Sequence, residues 1–513
     1  MEKSGEFRLA LLTADGKCPR WMWWPLQAAA EVSSITLAAV VNLSGLSSPA
    51  NPWIVEAYAK WERNRYLPAD NLLEDVNVDT RNVERVVSLP VGEVNQLPSL
   101  LHACRANILL VAPPAEQVDL NGLDIPVWKF QFGSNQRTNR EPGLWEVIER
   151  SLTSVSLVET TCRCRTPRIL ETIVARTDPR SWVRNQLGLM AKASDLVRRW
   201  VPPQAIRIQR AELDSDAALS LASRADPESS LAVLRLLGRF ANHARVLALN
   251  REQWQLAVDT TGDFGCLNHP EILKPPVDRF WCDPFPFLRD GVLYVFFEEC
   301  FYESDKGHIS VLSRSRSGVW SGPTLVLERP YHLSYPFIFE SQGQLLLLPE
   351  TTAAGRVELY HCVRFPDQWT LDKVLIDNLP GADCTLWFQD SRWWLFVDVK
   401  DELCLFFSDA PRGPWQPHPG NPVKSDSRNS RPAGRIFRRN GEVIRPAQDC
   451  SLQYGHEVVF NKITRLTVED FEEVEVCRLR TPWDGKACCH TFNQLDGTTV
   501  VDRLVQRRRL SRP

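Results

Sequence analysis

The sequence predicts a multidomain protein with an α/β, Rossmann-like domain at residues 1–165, a helical connector at 166–249 and an all-β five-bladed propeller at 250–513. A hairpin pattern recurs about every 50 residues in the C-terminal half. Strand-like and helix-like segments alternate in the N-terminal third. Between these regions the apolar residues follow a helical period.

The N-terminal region alternates apolar strands with amphipathic segments. Strands are predicted at Phe7–Leu12, Ile35–Leu43 and Ile108–Ala112, and helices at Trp21–Glu31 and Ile54–Tyr66. This order is typical of a sheet with crossover helices. Because no GxGxxG motif follows the first strand, no dinucleotide site is predicted.

The segment Ile125–Leu157, IPVWKFQFGSNQRTNREPGLWEVIERSLTSVSL, together with this element order, resembles the formyltransferase N-terminal domain. The resemblance implies a catalytic Asn-x-His followed by Ser-Leu-Leu-Pro. Here the matching stretch is Lys129-Phe130-Gln131, and no SLLP follows. Gln131 cannot act as a general acid or base, and Lys129 cannot reproduce the Asn amide. We therefore expect a degenerate domain that is used for structure or binding and does not transfer formyl groups.

The connector contains two predicted helices. Val183, Met190 and Val197 lie on one helical face with Leu187. Pro202-Pro203 then breaks the pattern, and Leu231–Leu249 forms a second apolar-rich helix.

The propeller prediction depends on five hairpin copies that align on a phenylalanine. The anchors are Phe287, Phe339, Phe388, Phe437 and Phe492. A turn residue follows each anchor, and a β-rich run such as VLYVFF follows the turn. One such hairpin in each copy is the signature of one propeller blade.

The two ends of the propeller are predicted to share a blade. The segment after His490 is too short for a whole blade, and an unfinished blade would expose an open edge. Gln253–Val258, QWQLAV, reads as a strand without a hairpin of its own. We expect it to pair with the strands around His490–Asp502 and to close the ring.

A string of motifs in this half resembles one family. The motifs include DPFPF, GHISV, RPYHLSYPFIFE, LLPET, RPAGR, RPAQDCSLQYG and HTFN. They resemble the N-terminal propeller of glucosamine inositolphosphorylceramide transferase and its bacterial relatives, over roughly residues 250–505. In the plant transferase a separate glycosyltransferase domain follows, and this sequence ends at Pro513 without it. The resemblance therefore implies the propeller and not that transfer activity.

Ionisable and polar residues are predicted to converge at the propeller axis. Those that open the blades are Asp283, Tyr335, Asp383, Arg431 and His490, and those that follow second strands are Glu350, Arg445, Gln448 and Asp449. Axial acids in five blades also resemble the invertase and arabinanase superfamily of glycosidases. That resemblance implies a catalytic pair of carboxylates, with Asp283 as base or nucleophile and Glu350 or Asp383 as acid. The superfamily's second-blade acid has no counterpart in Ser334-Tyr335-Pro336.

The residues leave three interpretations open. The propeller is an enzyme of glycosyl transfer or hydrolysis, or it is a non-catalytic module that binds a glycan or nucleotide sugar. In the third, Asp283 and Asp383 only pair with Arg431 or Arg445 in a structural network. In the first two interpretations, the ligand is expected to contact five residues and to be held by charge-assisted hydrogen bonds. These residues are Asp283, Asp383, Arg431, Arg445 and Glu350.

The composition of the chain limits its possible partners, location and cofactors. The chain has 513 residues, 43% hydrophobic and 24% charged, and a net charge of −3, which gives no reason to expect a nucleic-acid partner. Apolar runs such as Ile35–Val41 are too short to span a bilayer, and the start lacks the apolar core of a signal peptide. The 14 cysteines are scattered without a CxxC pair, which predicts reduced thiols, a cytoplasmic location and no metal site. No cofactor is predicted, and the oligomeric state is left open.

Overall fold

The computed structural model describes residues 7–31, 35–46, 53–67, 71–120, 122–133, 142–161, 167–179, 181–201, 249–261, 264–483 and 488–508, with six further positions between 234 and 246. The chain divides into two compact units, Met1–Phe240 and Ala241–Pro513. None of the described helices has the length and apolar character needed to cross a membrane.

The N-terminal unit is built on a mixed sheet of nine strands. They are β1 (Arg8–Ala14), β2 (Lys17–Pro19), β3 (Thr36–Ser44), β4 (Asp75–Asn77), β5 (Val86–Pro90), β6 (Ile108–Val111), β7 (Val127–Phe132), β8 (Thr153–Thr160) and β9 (Arg168–Ala175). The long strands follow the order β5–β3–β1–β6–β7–β8–β9, and the short β2 and β4 extend from β1. Five strands of this order, β5, β3, β1, β6 and β7, are parallel to one another. Strands β8 and β9 are antiparallel to their neighbours.

Helices cover this sheet. They are α1 (Arg20–Glu31), α2 (Trp53–Tyr66), α3 (Leu97–Ala103), α4 (Leu144–Glu149) and α5 (Trp182–Trp200). Strand β1 contributes Leu9 and Leu11 to one buried cluster and Ala10 and Leu12 to another. Burial on both faces is what produces the continuous apolar run of a parallel strand.

The predicted strands and helices of this region are found with bounds that differ by one or two residues. Helix α5, with buried Val183, Met190 and Val197, confirms the first helix predicted after residue 165, and it lies within the N-terminal unit. The helical prediction is wrong at Arg168–Ala175, which forms β9 and pairs antiparallel with β8. Its β-branched residues favour a strand, so the sheet extends beyond residue 165. The second predicted helix, Leu231–Leu249, lies outside the described residues except for a few positions.

The C-terminal unit consists of five four-stranded antiparallel sheets, which confirms the five-bladed propeller. Blade 1 contains β12 (Arg279–Arg289), β13 (Val292–Phe301), β14 (Lys306–Arg314) and β15 (Trp320–Leu327). Blade 2 contains β16 (Ser334–Ser341), β17 (Gln344–Glu350), β18 (Val357–Arg364) and β19 (Gln368–Ile376). Blade 3 contains β20 (Ala382–Gln389), β21 (Arg392–Asp398), β22 (Leu403–Ser408) and β23 (Gln416–Pro417). Blade 4 contains β24 (Phe437–Arg439), β25 (Glu442–Asp449), β26 (Glu457–Leu466) and β27 (Phe471–Arg478).

Blade 5 joins the two ends of the propeller. Its strands are β28 (Phe492–Leu495), β29 (Thr498–Arg508), β10 (Asn250–Asp259) and β11 (Glu271–Leu273), in the order β28–β29–β10–β11. Gln253 lies opposite Val505, and Val258 lies opposite Val500. The predicted closure is confirmed, with two strands supplied from each end.

The inner strands of blades 1 to 3 share a bulge. The pairing register shifts after Cys282, Ser334 and Ala382. The next residue in each strand has a left-handed backbone, with φ of 52° at Asp283, 45° at Tyr335 and 49° at Asp383. Such φ values are uncommon for residues other than glycine, and a bulge redirects the side chain. The bulge therefore repeats the orientation of the blade-opening side chain in three blades.

Candidate functional site

Equivalent residues of successive blades form two polar rings at one end of the propeller axis. The inner ring is Asp283, Tyr335 and Asp383, at the bulges. The outer ring is Glu298, Glu350, Asp398 and Gln448, each at the same position of its second strand. We call these residues other than Tyr335, with Arg431 and His490, the axial mouth.

Asp283 is bonded from several directions and is only 4% exposed. Its Oδ1 accepts the Thr491 hydroxyl at 2.7 Å and lies 3.0 Å from His490 Nε2. Its Oδ2 accepts the Tyr335 N–H at 3.2 Å. Asp502 Oδ2 lies 3.1 Å from His490 Nδ1, as an ion pair without hydrogen-bond alignment. The imidazole therefore bridges carboxylates of blades 1 and 5.

The charges of this group depend on one another. Burial alone would raise the pKa of Asp283, but the His490 charge and the hydrogen bonds from His490 and Thr491 lower that pKa below its ordinary value. Burial alone would lower the pKa of His490, but the charges of Asp502 and Asp283 raise it to about 9. At neutral pH an anionic Asp283 thus faces a cationic His490.

Among the described residues, the hydrogen bonds of the Arg431 side chain are made through Nε alone. Its Nε donates to Asp383 Oδ2 at 2.5 Å, and Gln448 Nε2 donates to the same oxygen at 2.7 Å. Its Nη2 lies 3.8 Å from Glu350, and its Nη1 lies 3.9 Å from Asp398. Both separations exceed hydrogen-bond distance. The two terminal amino groups therefore face carboxylates without bonding to them.

Burial shifts two of the surrounding carboxyl groups towards the neutral form. It raises the pKa of Asp383, as do the charges of Glu350 and Asp283, against the opposing charge of Arg431. Burial also raises the pKa of Asp398 to about 7. Asp398 Oδ1 is buried and has no hydrogen-bond partner among the described residues.

Tyr335 closes the axis beneath the mouth. The side chain is fully buried. Its hydroxyl lies 2.8 Å from the Thr385 hydroxyl and accepts the Gly434 N–H at 2.6 Å. The phenol of blade 2 therefore reaches blades 3 and 4. The structure places this predicted ligand contact in the floor of the mouth, where it has no exposed surface.

Two other predicted ligand contacts are engaged within blade 4. Arg445 is fully buried and donates to Glu473 through Nε at 2.7 Å and Nη2 at 2.6 Å. Asp449 accepts from the Ser451 hydroxyl at 2.5 Å and from Arg478 at 2.8 Å. The structure does not bring these two residues together with Asp383. Arg431 is the predicted arginine that contacts the axial carboxylates.

The sequence reasoning missed several residues of this end. Asp398 occupies the same place in its blade as Glu350, so the repeat itself carried a signal for it. The rings of Trp254 and Tyr454 lie 4.3 and 5.3 Å from the His490 ring, and Arg431 lies 5.2 Å over Tyr454. Both aromatic residues are partly exposed. They lie outside the repeat, so no periodic pattern pointed to them.

Among the described residues, two clusters that include blade 1 residues carry atoms of the types that bind metals. They are Cys282, Asp283 and His490, and Glu298, Cys300 and His332. In the second cluster the Gly307 N–H donates to His332 Nδ1 at 2.9 Å, and Nε2 lies 3.1 Å from Glu298, whose hydrogen bond raises the pKa of His332 to about 9. A metal would need that Nε2 lone pair. In the first cluster the Cys282 thiol donates to Glu298 at 3.0 Å, and the imidazole is cationic. That the chain has no metal site stays a prediction.

In the N-terminal unit, Lys129 and Gln131 lie on β7. Lys129 Nζ donates to the Glu116 carbonyl at 3.4 Å, and burial lowers the pKa of this lysine. Gln131 Oε1 is buried without a hydrogen-bond partner among the described residues. The resemblance to formyltransferases stays a prediction.

Fold and site together define a five-bladed β-propeller with an ionisable mouth and a closed floor on its axis. Residues 266–494 match the family model described as Glucosamine inositolphosphorylceramide transferase 1, N-terminal. The resemblance of the propeller to that family is thereby supported.

Plant proteins of that name are similar to this part of the chain. The Oryza sativa subsp. japonica protein is 36% identical over 230 residues, which is 41% of this chain and 31% of the rice protein. The Arabidopsis thaliana protein is 32% identical over 209 residues, 39% of this chain and 27% of the plant protein. The chain thus spans about a third of the length of the curated relatives that it matches.

Solved structures with a related arrangement include glycoside hydrolases. One is Zg3597, a family 117 enzyme of Zobellia galactanivorans, at 13% identity and a TM-score of 0.32, over 45% of this chain and 85% of that chain. Another is an exo-1,5-alpha-L-arabinanase from a bovine ruminal metagenomic library, at 13% identity and a TM-score of 0.32. The match covers 45% of this chain and 94% of that chain. No activity follows from similarity at this level.

Proposed function

We propose that the propeller binds a carbohydrate or sugar conjugate at the axial mouth. The observation that carries this proposal is the position of Arg431, whose terminal amino groups stand 3.8 and 3.9 Å from Glu350 and Asp398. A sugar hydroxyl both donates and accepts hydrogen bonds. One placed between guanidinium and carboxylate can bond both, and such charge-assisted bonds are strong.

The surroundings of this gap support the same ligand class. Trp254 and Tyr454 supply partly exposed rings beside the charged groups. Aromatic walls with a few convergent polar groups are the usual composition of a small-molecule site. The plant relatives are named for glucosamine and an inositol-containing lipid, which supports a role in glycan or glycoconjugate metabolism.

We favour a binding module over a catalytic one because of Asp283. A nucleophile or general base needs a free lone pair that faces the substrate. Asp283 is buried and already accepts from Thr491, Tyr335 and His490. Glu350 is the more accessible carboxylate, with 15% of its side chain exposed.

The second candidate is glycosyl transfer or hydrolysis at the same mouth. It is favoured by the raised pKa values of Asp383 and Asp398, which keep these carboxyl groups protonated to a higher pH than usual beside the accessible carboxylate of Glu350. A protonated acid beside an available carboxylate is the pair that a glycosidase needs. In this candidate Glu350 contacts the sugar as base or nucleophile, and Asp383 or Asp398 provides the proton.

Titration calorimetry of the full chain tests the binding proposal. The panel contains neutral sugars, amino sugars, sugar phosphates and nucleotide sugars. Arg431→Gln and Glu350→Gln should weaken binding at least about tenfold, the loss of one charge-assisted bond. Arg364→Gln, which alters an exposed pair with Asp367, should bind like the wild type. If no member of the panel binds, or if both mouth variants bind normally, the proposal fails.

The two candidates are separated by product analysis on any sugar that binds. Binding without turnover supports the module. Turnover that Glu350→Gln abolishes, while the substrate still binds, supports the enzyme.

For the N-terminal unit we propose a structural or binding role without formyl transfer, in a protein of the cytoplasm. The motivation is the stretch Lys129–Gln131, where the residues that the formyltransferase resemblance implies are absent. Folate-dependent formylation of any amine by the full chain would contradict this role. Recovery of the tagged protein outside the cytoplasmic fraction would contradict the location.

A further inference from the structure

Arg435 is a cation of the propeller core on the opposite side of the Tyr335 floor from the mouth. Its guanidinium lies 5.5 Å over the Phe285 ring and 4.9 Å over the Phe337 ring, and its Nη2 donates to the Ile338 carbonyl. These three residues follow the bulges of blades 1 and 2, towards the hairpin turns. The guanidinium therefore lies on the turn side of the bulges.

The surroundings of this guanidinium contain no counter-charge. Within the described residues no carboxylate forms an ion pair with Arg435, whereas Arg431 pairs with Asp383 and Arg445 with Glu473. A guanidinium has five N–H donors, and the Ile338 carbonyl takes one of them. Burial lowers the pKa of Arg435 to about 10, as expected for a buried cation that no carboxylate offsets.

We propose that Arg435 binds a small oxyanion, a carboxylate or phosphate group, on the turn side of the bulges. The planar fork of a guanidinium matches two oxygens of such a group. The side chain is partly exposed, so a ligand can reach it. The neighbouring phenylalanine rings displace water, and an ion pair is stronger where water is displaced.

This site differs in charge from the axial mouth. In the mouth, Asp283, Asp383 and Glu350 lie beside the cations Arg431 and His490, whereas Arg435 has no carboxylate partner among the described residues. Tyr335 separates the two. The proposal is independent of sugar binding at the mouth.

Thermal unfolding of the full chain in sodium phosphate or sodium acetate, against sodium chloride at equal ionic strength, tests the proposal. An anion that binds only the folded protein raises the Tm with concentration. The wild type should show this rise. The salt that produces it, phosphate or acetate, tells whether the site binds a phosphate or a carboxylate group. Arg435→Gln should bind at least about tenfold more weakly, as expected for losing a charge-assisted pair. Arg439→Gln, an exposed arginine of the same blade, is the control and should respond like the wild type.

No rise in the wild type beyond that in chloride overturns the proposal, and so does an equal rise in Arg435→Gln. If that variant does not fold, Arg435→Lys decides, because it keeps the charge but cannot present a planar fork. A response of Arg435→Lys equal to that of the wild type also contradicts the proposal.

Discussion

Asp283 and Glu350 are carboxylates of the same mouth in different surroundings. Asp283 contacts Thr491, His490 and Tyr335 and is nearly inaccessible. Glu350 accepts one N–H, from Asp383 at 3.2 Å, and retains exposed surface. Burial and bonding therefore make the first residue part of the scaffold and leave the second available to a ligand.

Asp283→Asn should destabilise the propeller more than Glu350→Gln does. Removing the charge of Asp283 leaves His490 with one carboxylate fewer, and breaking a buried pair costs about 3–5 kcal/mol. Glu350→Gln should change the free energy of unfolding by less than about 1 kcal/mol, because Gln still accepts the Asp383 N–H and the 3.8 Å separation from Arg431 is too long for a hydrogen bond. Denaturant unfolding measures both. Equal stability of the two variants would show that Asp283 is not structural.

His490 should make stability depend on pH. Its pKa in the folded protein is about 9, above the ordinary 6.5, because of Asp502 and Asp283. The stabilisation is therefore complete below about pH 6.5 and is lost as the pH rises through about 9, a total of about 3 kcal/mol. The raised pKa of Asp398 also makes the stability fall as the pH rises, but over a lower interval, from its ordinary 3.8 to about 7.

Urea unfolding of the wild type between about pH 6 and pH 9 measures this loss. His490→Gln should reduce the slope and leave the part due to His332, whose pKa the hydrogen bond to Glu298 also raises to about 9. By contrast, His269→Gln, at an exposed position, should retain the full slope. A wild-type stability that stays constant or rises over this interval would exclude a cationic His490.

At the scale of elements, blades 4 and 5 meet through a glycine. Gly434 has φ of +131°, and a Cβ there would lie 1.9 Å from the Phe492 carbonyl oxygen. No side chain fits that separation. Gly441, in the turn of blade 4, has φ of +81° but open space around its Cβ position.

Gly434→Ala should therefore cost at least about 3 kcal/mol of unfolding free energy, since backbone must move to admit the methyl group. Gly441→Ala should cost about 1–2 kcal/mol, the penalty of a left-handed alanine. The two denaturation midpoints test this difference. Similar midpoints would mean that the blades separate easily.

At the scale of the whole molecule, propeller stability depends on pairing between strands far apart in sequence. Strand β10 pairs along its full length with β29, from Asn250 opposite Arg508 to Asp259 opposite Thr499. Without β10, the edge of β29 would be exposed in an incomplete blade.

Residues 241–513 expressed alone should unfold cooperatively, because they contain the whole compact unit. Residues 260–513 lack β10 and should fail to fold or should aggregate. Circular dichroism and denaturant unfolding distinguish the two fragments. A stable, cooperative 260–513 fragment would show that ring closure is dispensable.

Much of this architecture was predictable from local patterns. Gly291, Gly343 and Gly441 mark the hairpin turns, and Gln253–Val258 could be recognised as an unpaired strand. Arg168–Ala175 was misread because a short apolar run fits a helix or a strand, and pairing with β8 decided between them.

For the site, the sequence by itself determined which residues open the blades, because a repeat places equivalent positions at the same end of the axis. It brought Asp283, Asp383 and Arg431 to one end. Only the tertiary structure decided their roles: that Tyr335 closes the floor, that Arg445 pairs with Glu473, and that Arg431 keeps two unbonded amino groups. The physical reason is that burial and hydrogen-bond partners set the availability of a charged group, and those partners come from blades distant in sequence.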